Sequence, residues 1–291
     1  MGKVKQKQIL SFHPCFAAQH QIILGSRKLG PRDHSLIKKA VAIILPQSCS
    51  QDLYQACQSS SAELFPNYDV RFKYQGKIGQ FFLFKEFQLP HPHTIPWVSV
   101  NEFRRANHRN WLPHNFPFLL KGDRSHEGEG VFLITDPEAL ESTLRIFGEW
   151  EKTGQPGFIS QALIPSGGNV LRVVLLGNKI ITYWKRPLLE GSLITTLSRN
   201  AVVDKDWKKD LQEKGRMQAT VFAEKTGSDV VAMDYVFPME HPEPEPHLLE
   251  VNYYFGRRGL GGSLNYYRLL YEALQEWLQR KGFDPALVRL L

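Results

Sequence analysis

Apolar positions in this chain fall into short β-like runs and a few helix-like stripes, and these predict most of its elements. Residues 8–14 and 39–46 read as buried strands closed by Pro14 and Pro46. Residues 52–65 carry Leu53, Ala56, Cys57 and Leu64 at helical spacing, and Val70-Arg71-Phe72 reads as the start of a further strand. Together they describe a small α/β unit of about 75 residues, with 17–37 unassigned. Gly76-Lys77-Ile78-Gly79 leads into a helix over 78–87, and the prolines of 89–96 mark an extended linker. Next come a strand at 116–121, a glycine loop at 122–130 and a return strand at 131–134. Asp136-Pro137 then starts a helix whose apolar face is Leu140, Leu144, Phe147 and Trp150, and a strand follows at 157–164.

The second half begins with a hairpin, 170–176 and 179–186, around the two-residue turn Gly177-Asn178. Residues 205–226 are helical in charge pattern and close at Gly227. Two short β-branched runs follow, 229–237 and 247–252, separated by a Pro-rich connection that cannot be helical. Ser263 caps a final helix to Lys281, with Leu264, Leu270, Leu274, Trp277 and Leu278 on one apolar face. The expected organisation is an N-terminal α/β domain over 1–75, a small lobe over 76–164 and a large lobe over 165–291.

Composition narrows the classes. A 42% hydrophobic and 22% charged chain is ordinary for a globular protein, and no run approaches the roughly 18 apolar residues of a membrane span. The basic start is followed by an apolar run that stops at Phe12, which is not the pattern of a secretory signal. Three cysteines without metal-type spacing favour free thiols in a reducing cytoplasm. A net charge of +7 suits an anionic ligand, but the basic residues are scattered, with no tract that calls for nucleic acid.

The chemistry concentrates in a few places. Glu250 and Asn252, two apart on a strand, share a face, and Asp234 joins them if the two runs pair. Such hard oxygen donors suit Mg²⁺; the plainer reading is a polar strand end with Glu250 in a salt bridge. Lys121 ends an apolar strand before a glycine-rich loop that lacks P-loop spacing, which fits either a phosphate contact or a plain turn. His91-Pro92-His93 lacks the partners of a zinc site.

Taken in order, Lys77, the Pro-rich linker, Leu120-Lys121 with Gly128-Glu129-Gly130-Val131, Gln161, Leu171-Arg172-Val173-Val174, Arg186, Asn200, Asp234 and Leu249-Glu250-Val251-Asn252 resemble the ATP-grasp superfamily, most closely its RimK-like carboxylate–amine ligase branch. The resemblance spans about residues 74–281. It implies an ATP-grasp fold, two α+β lobes sandwiching ATP, preceded by a small α/β domain. Lys77 and Lys121 would hold the ATP phosphates, with Gly128 and Gly130 in the loop that closes over them. The backbone of Gln161, Ala162, Leu163 and Ile164 would meet adenine. Asp234, Glu250 and Asn252 would carry Mg²⁺, or Mn²⁺ in its place. Arg172 and Arg186 would face the γ-phosphate and the substrate carboxylate, with Asn200 nearby. The implied activity is ATP-dependent joining of a small-molecule or peptide carboxylate to an amine, with no membrane partner. A kinase-like phosphotransferase and a non-catalytic nucleotide-binding module are the alternatives. Ala162 stands where the family has Glu, Asn169 lies one step from the family's Asp, and Arg257-Arg258 replaces the family's smaller residues.

Overall fold

A computed structural model describes residues 8–106, 112–125, 130–188 and 201–291. The first unit comprises β1 (Gln8–Ser11), β2 (Phe16–Ala17), β3 (His20–Gln21), α1 (Pro31–Lys39), β4 (Ala40–Ile44), α2 (Gln51–Gln58), β5 (Glu63–Phe65) and α3 (Asp69–Lys73). Its sheet is parallel in the order β3-β1-β4-β5. Parallel neighbours need crossovers: α1 lies in the connection from β3 to β4 and α2 in that from β4 to β5, while β1 reaches β3 through β2. The apolar spacing expected to make one helix of 52–65 is divided: α2 stops at Gln58 and Glu63–Phe65 becomes the edge strand β5. The strand expected at Val70-Arg71-Phe72 is instead one turn of helix, α3, with Val70 buried. Three residues are too few for a β-rich composition to outweigh packing.

The second unit comprises α4 (Gly76–Glu86), β6 (Thr94–Trp97), α5 (Val100–Ala106), β7 (Phe118–Gly122), β8 (Val131–Ile134), α6 (Pro137–Lys152) and β9 (Phe158–Ala162). Its sheet is antiparallel in the order β6-β9-β7-β8, so the end of the expected linker is an edge strand. Pro96 is tolerated there because an edge strand leaves some N–H groups outside the ladder. Phe118, Leu120 and Phe158 face α5 and α6 in one core, which by alternation turns Leu119, Lys121 and Gln161 to the other side.

The third unit comprises β10 (Val170–Leu176), β11 (Lys179–Arg186), β12 (Val202–Asp204), α7 (Lys209–Thr226), β13 (Val230–Val236), β14 (His247–Asn252) and α8 (Ser263–Arg280), and near the C-terminus β15 (Arg289–Leu290) pairs with β2. The antiparallel order is β12-β11-β10-β13-β14. One face packs Leu171, Val173, Val231 and Met233 against α7 and α4. The other packs Val174, Leu176, Val230 and Ala232 against α8, whose Leu274, Trp277 and Leu278 reach Ile9, Ala42 and Ile44 of the first sheet in the same core. Helix α8 is thus a layer shared by two sheets.

Two details of α8 differ from expectation. Gly262, not Ser263, is its N-cap. Leu264 is 85% exposed, because the buried stripe begins only at Tyr266. The edge of β14 is covered from the second unit: the Gln80 side chain bonds Val251 at both N–H and C=O, each at 3.0 Å, and Leu248 N–H donates to Pro90 O. A covered edge is protected from stray pairing, and here it also binds α4 to the third sheet.

Candidate active site

The face of the third sheet that α8 covers changes character where the helix stops. Apolar Val174, Ala232 and Tyr183 give way to Arg172, Asp234, Lys185 and Glu250. Arg172 lies opposite Asp234 across β10 and β13, and Asp234 opposite Glu250 across β13 and β14. Arg172 donates from Nε and Nη2 to the two Asp234 oxygens at 2.8 and 2.7 Å, and Lys185 Nζ donates to Oδ2 at 2.8 Å. The three side chains are 12, 6 and 6% exposed for Arg172, Lys185 and Asp234. Burial works against the ionised Asp234 carboxyl, but Arg172 and Lys185 outweigh it and hold its pKa far below the usual range. Burial also depresses Lys185, with Asp234 opposing, whereas Arg172 overcomes burial through Asp234 and rises.

The second sheet offers cations of a different kind. Lys121, buried at the end of β7, donates from Nζ to Gln161 Oε1 at 2.6 Å, and Gln161 Nε2 donates to Thr94 Oγ1 at 2.9 Å. Its partners are neutral, and burial pulls its pKa down to about 8, with Glu250 acting in the opposite sense. Lys77, at the first turn of α4, donates to the Ser125 carbonyl at 2.6 Å and to Ser125 Oγ at 3.1 Å. It too is depressed by burial while Glu250 and Asp123 raise it. The loop backbone is held against α4 by Asp123, whose Oδ1 accepts from Ile78 N–H at 2.8 Å. Gly130 has φ +69° and lies so close to Ser125 and Trp150 that a Cβ there would collide with both.

Glu250 is therefore within electrostatic reach of Lys77, Lys121, Arg172 and Lys185. Among the described residues it makes no hydrogen bond or ion pair of its own. Asn252 lies across from Ala232, on the Glu250 face, and its buried Nδ2 has no partner. The Glu250 carboxylate fits Mg²⁺, which takes one or two carboxylates and fills its shell from phosphates and water; Asn252 could add only its Oδ1, since the orphaned Nδ2 is a donor. No group of three His, Cys, Asp or Glu side chains among the described residues makes a complete metal cage.

The structure thus brings Lys77, Lys121, Gln161, Arg172, Asp234, Glu250 and Asn252 together, with two corrections. Asp234 is in the site, but both its oxygens are engaged by Arg172 and Lys185, so it positions cations where a metal ligand was expected. Arg186 is on the opposite face: it pairs with Asp204 at 2.9 Å and stacks 4.3 Å over Trp207, which packs with Trp184 on the α7 side. Successive strand residues point to opposite faces, and Lys185 takes the inward place. Ala162 N–H donates to His93 O at 2.9 Å, so its amide is spent within the sheet, and Leu163 and Ile164 lie just beyond β9. Gly128 and Asn200 lie outside the described residues. Lys185 is a candidate-site residue that the sequence reading missed, whereas Asp123 and Ser125 entered it only as members of the loop 122–130.

No family model matches the chain. It is 25% identical over 160 residues to a β-citrylglutamate synthase B of Danio rerio, and 24% identical over 160 residues to N-acetylaspartylglutamate synthase A of Homo sapiens. Each match covers 54% of this chain but only 38% and 39% of those proteins, so the chain is matched over about two fifths of the curated relatives' length. Among solved structures, a RimK domain ATP-grasp protein from Sphaerobacter thermophilus superimposes with a TM-score of 0.60 at 14% identity, covering 90% of this chain and 97% of that one. An N5-carboxyaminoimidazole synthetase from Staphylococcus aureus, complexed with ADP, gives 0.58 at 12% identity over 87% of this chain and 65% of that one.

Proposed function

We propose that this chain, which has the ATP-grasp fold, is an ATP- and Mg²⁺-dependent ligase that joins a carboxylate to an amine through an acyl phosphate. The observation that carries this reading is one carboxylate, Glu250, unpaired among the described residues and within reach of cations from two separate sheets. Among the described residues Lys121 and Lys77 have only neutral partners, and in this reading a triphosphate replaces those partners with charge-assisted bonds. Mg²⁺, or Mn²⁺ in its place, held by Glu250 and the Asn252 amide, would neutralise phosphate charge when bound. Arg172 keeps Nη1, and Lys185 its remaining N–H groups, for oxygens of the γ-phosphoryl group and of the attacking carboxylate. Phosphoryl transfer gives the acyl phosphate and ADP; the amine then displaces phosphate. The backbone just beyond β9, at Leu163, is where adenine would sit. Closure of loop 122–130 would keep water from the acyl phosphate.

We also take 1–75, 76–164 and 165–291 as the domains of this enzyme, and the cytoplasm as its place of work. Both curated relatives are named for products that contain glutamate. That supports an amino acid as the amine acceptor here.

The test uses hydroxylamine as a surrogate amine with Mg-ATP and a panel of carboxylic acids. ADP release with hydroxamate formation, lost in Glu250→Ala, supports the reading. ADP release without hydroxamate and with a phosphorylated hydroxyl product would make the protein a phosphotransferase. Mg-ATP binding without turnover on any acid would make it a binding module.

A further inference from the structure

Arg71 and Arg257 come from regions of the chain far apart in sequence, and both end on one residue, Gln47. Arg71 Nη1 donates to the Gln47 carbonyl at 2.9 Å. Arg257 Nη2 donates to Gln47 Oε1 at 3.5 Å, a long contact, and Nη1 to Ser263 Oγ at 3.3 Å. Each guanidinium lies on aromatic rings: Arg257 at 4.5 Å from both Tyr266 and Tyr267, Arg71 at 4.7 Å from Tyr68 and 4.9 Å from Phe72. Among the described residues neither has a carboxylate within ion-pair distance, in contrast to Arg172 and Arg186. Gln47 is 6% exposed, and among the described residues neither its Nε2 nor the buried Tyr266 hydroxyl has a hydrogen-bond partner.

His13 completes the surroundings. Its Nδ1 accepts from Cys15 N–H at 3.1 Å, so the neutral ring carries its proton on Nε2. Burial and the nearby Arg257 hold its pKa down to about 4, which keeps it an uncharged donor at neutral pH. These groups are rich in donors and contain no acid. Leaving buried donors unpaired is costly, and an anion would satisfy several of them together.

Their place in the fold points the same way. His13 follows β1, and Gln47 follows β4. The chain leaves β1 for β3 on one side and builds β4 and β5 on the other. The crevice beyond the carboxyl ends of two such strands is the topological switch point, where open parallel sheets bind ligands. Arg257 reaches it from the segment after β14, two residues before Gly259, whose Cα packs so tightly on the Tyr183 ring that a Cβ there would collide with it. Tyr183 lies directly opposite Arg172. The switch point of the first sheet and the charged face of the third are thus joined by one short segment.

We propose that Arg71 and Arg257, gathered on Gln47, form the seat for a carboxylate that a substrate carries in addition to the group that reacts. This deepens the ligase reading, on which it rests for the chemistry at the charged face, and it names the substrate class: an acceptor amino acid bearing its own carboxylates. A guanidinium fork on an aromatic platform suits a planar carboxylate and discriminates against an amide of the same shape.

The test is calorimetric titration of L-glutamate and L-aspartate, and of the diamide of each, into the protein with Mg²⁺ and a non-hydrolysable ATP analogue present. At least one of the two amino acids should bind, and its diamide should not. Arg257→Ala and Arg71→Ala should each weaken that binding by about 10- to 100-fold, the usual worth of a charge-assisted bond. Arg257→Lys and Arg71→Lys keep charge but lose the fork, and should weaken it by at least about threefold. They decide the matter if the alanine variants do not fold. Failure of both amino acids to bind, or equal binding by wild type and variants, overturns the proposal. The ATP analogue titrated alone is a separate arm. If it fails to bind, the ligase reading falls, while the amino-acid titrations repeated without it still decide the seat.

Discussion

The two cation sets that meet at Glu250 are held in opposite ways. Arg172 and Lys185 on the third sheet share one carboxylate, Asp234, which compensates one of their two charges. Lys121 on the second sheet and Lys77 on α4 rest, among the described residues, on an amide, a carbonyl and a hydroxyl. Burial depresses Lys121 and Lys77 as it depresses Lys185, but only Lys185 has a carboxylate hydrogen-bonded to it to oppose the effect. The third-sheet pair has an ionic partner in place, whereas Lys121 and Lys77 have none among the described residues and gain most from a polyanion.

The contrast can be broken most directly at Asp234. Asp234→Ala strands two buried cations and should cost about 3–5 kcal/mol of folding stability in chemical denaturation. An unchanged midpoint would mean that Asp234 does not stabilise the two cations. Lys121→Met should do the reverse: binding of a non-hydrolysable ATP analogue weakens at least about tenfold, while ligand-free stability moves by less than about 1.5 kcal/mol.

A pH titration of the ligand-free protein sharpens the same point. Lys121 sits at about 8 when folded against an ordinary 10.5, so between those values the unfolded chain binds more protons. Stability should rise with pH across that window, on the order of 1–3 kcal/mol, and the penalty is fully present below it. Lys121→Met should flatten the rise. ATP affinity should fall over the same range, as Lys121 loses its charge. The smallest effect is expected at Arg186. Arg186→Ala should change turnover by less than about threefold, as a partly exposed ion pair on the far face predicts, whereas Arg172→Ala should abolish it.

That last pair of residues shows what the sequence made legible and what it hid. The turn Gly177-Asn178 sets the hairpin register: with two residues in the turn, Arg172 must stand opposite Tyr183. Lys185 then shares its face and Arg186 cannot. The information was present in the spacing, and counting from the turn would have exchanged one residue for the other. Pairing of 229–237 with 247–252 was equally legible, since both runs are β-rich and their connection is short and Pro-rich. The engagement of Asp234 by two cations was not, because it depends on which side chains a closed sheet brings within 3 Å. Helix 52–65 failed for a related reason: Leu64 continues a helical stripe, yet β4 offered an unpaired edge, and Glu63–Phe65 took it. Leu264 was assigned to a core face by its place in a periodic run, but the helix begins there before its neighbours do.

The shared layer formed by α8 sets the order in which the protein can be made. The first sheet is translated early, and one of its faces, with Ile9, Ala42 and Ile44, is covered by a helix that ends at Arg280. Until that helix has left the ribosome, this face of the parallel sheet lacks the layer that closes it, so its native burial waits on the synthesis of α8. A nascent chain stalled before residue 263 would therefore present that face to chaperones.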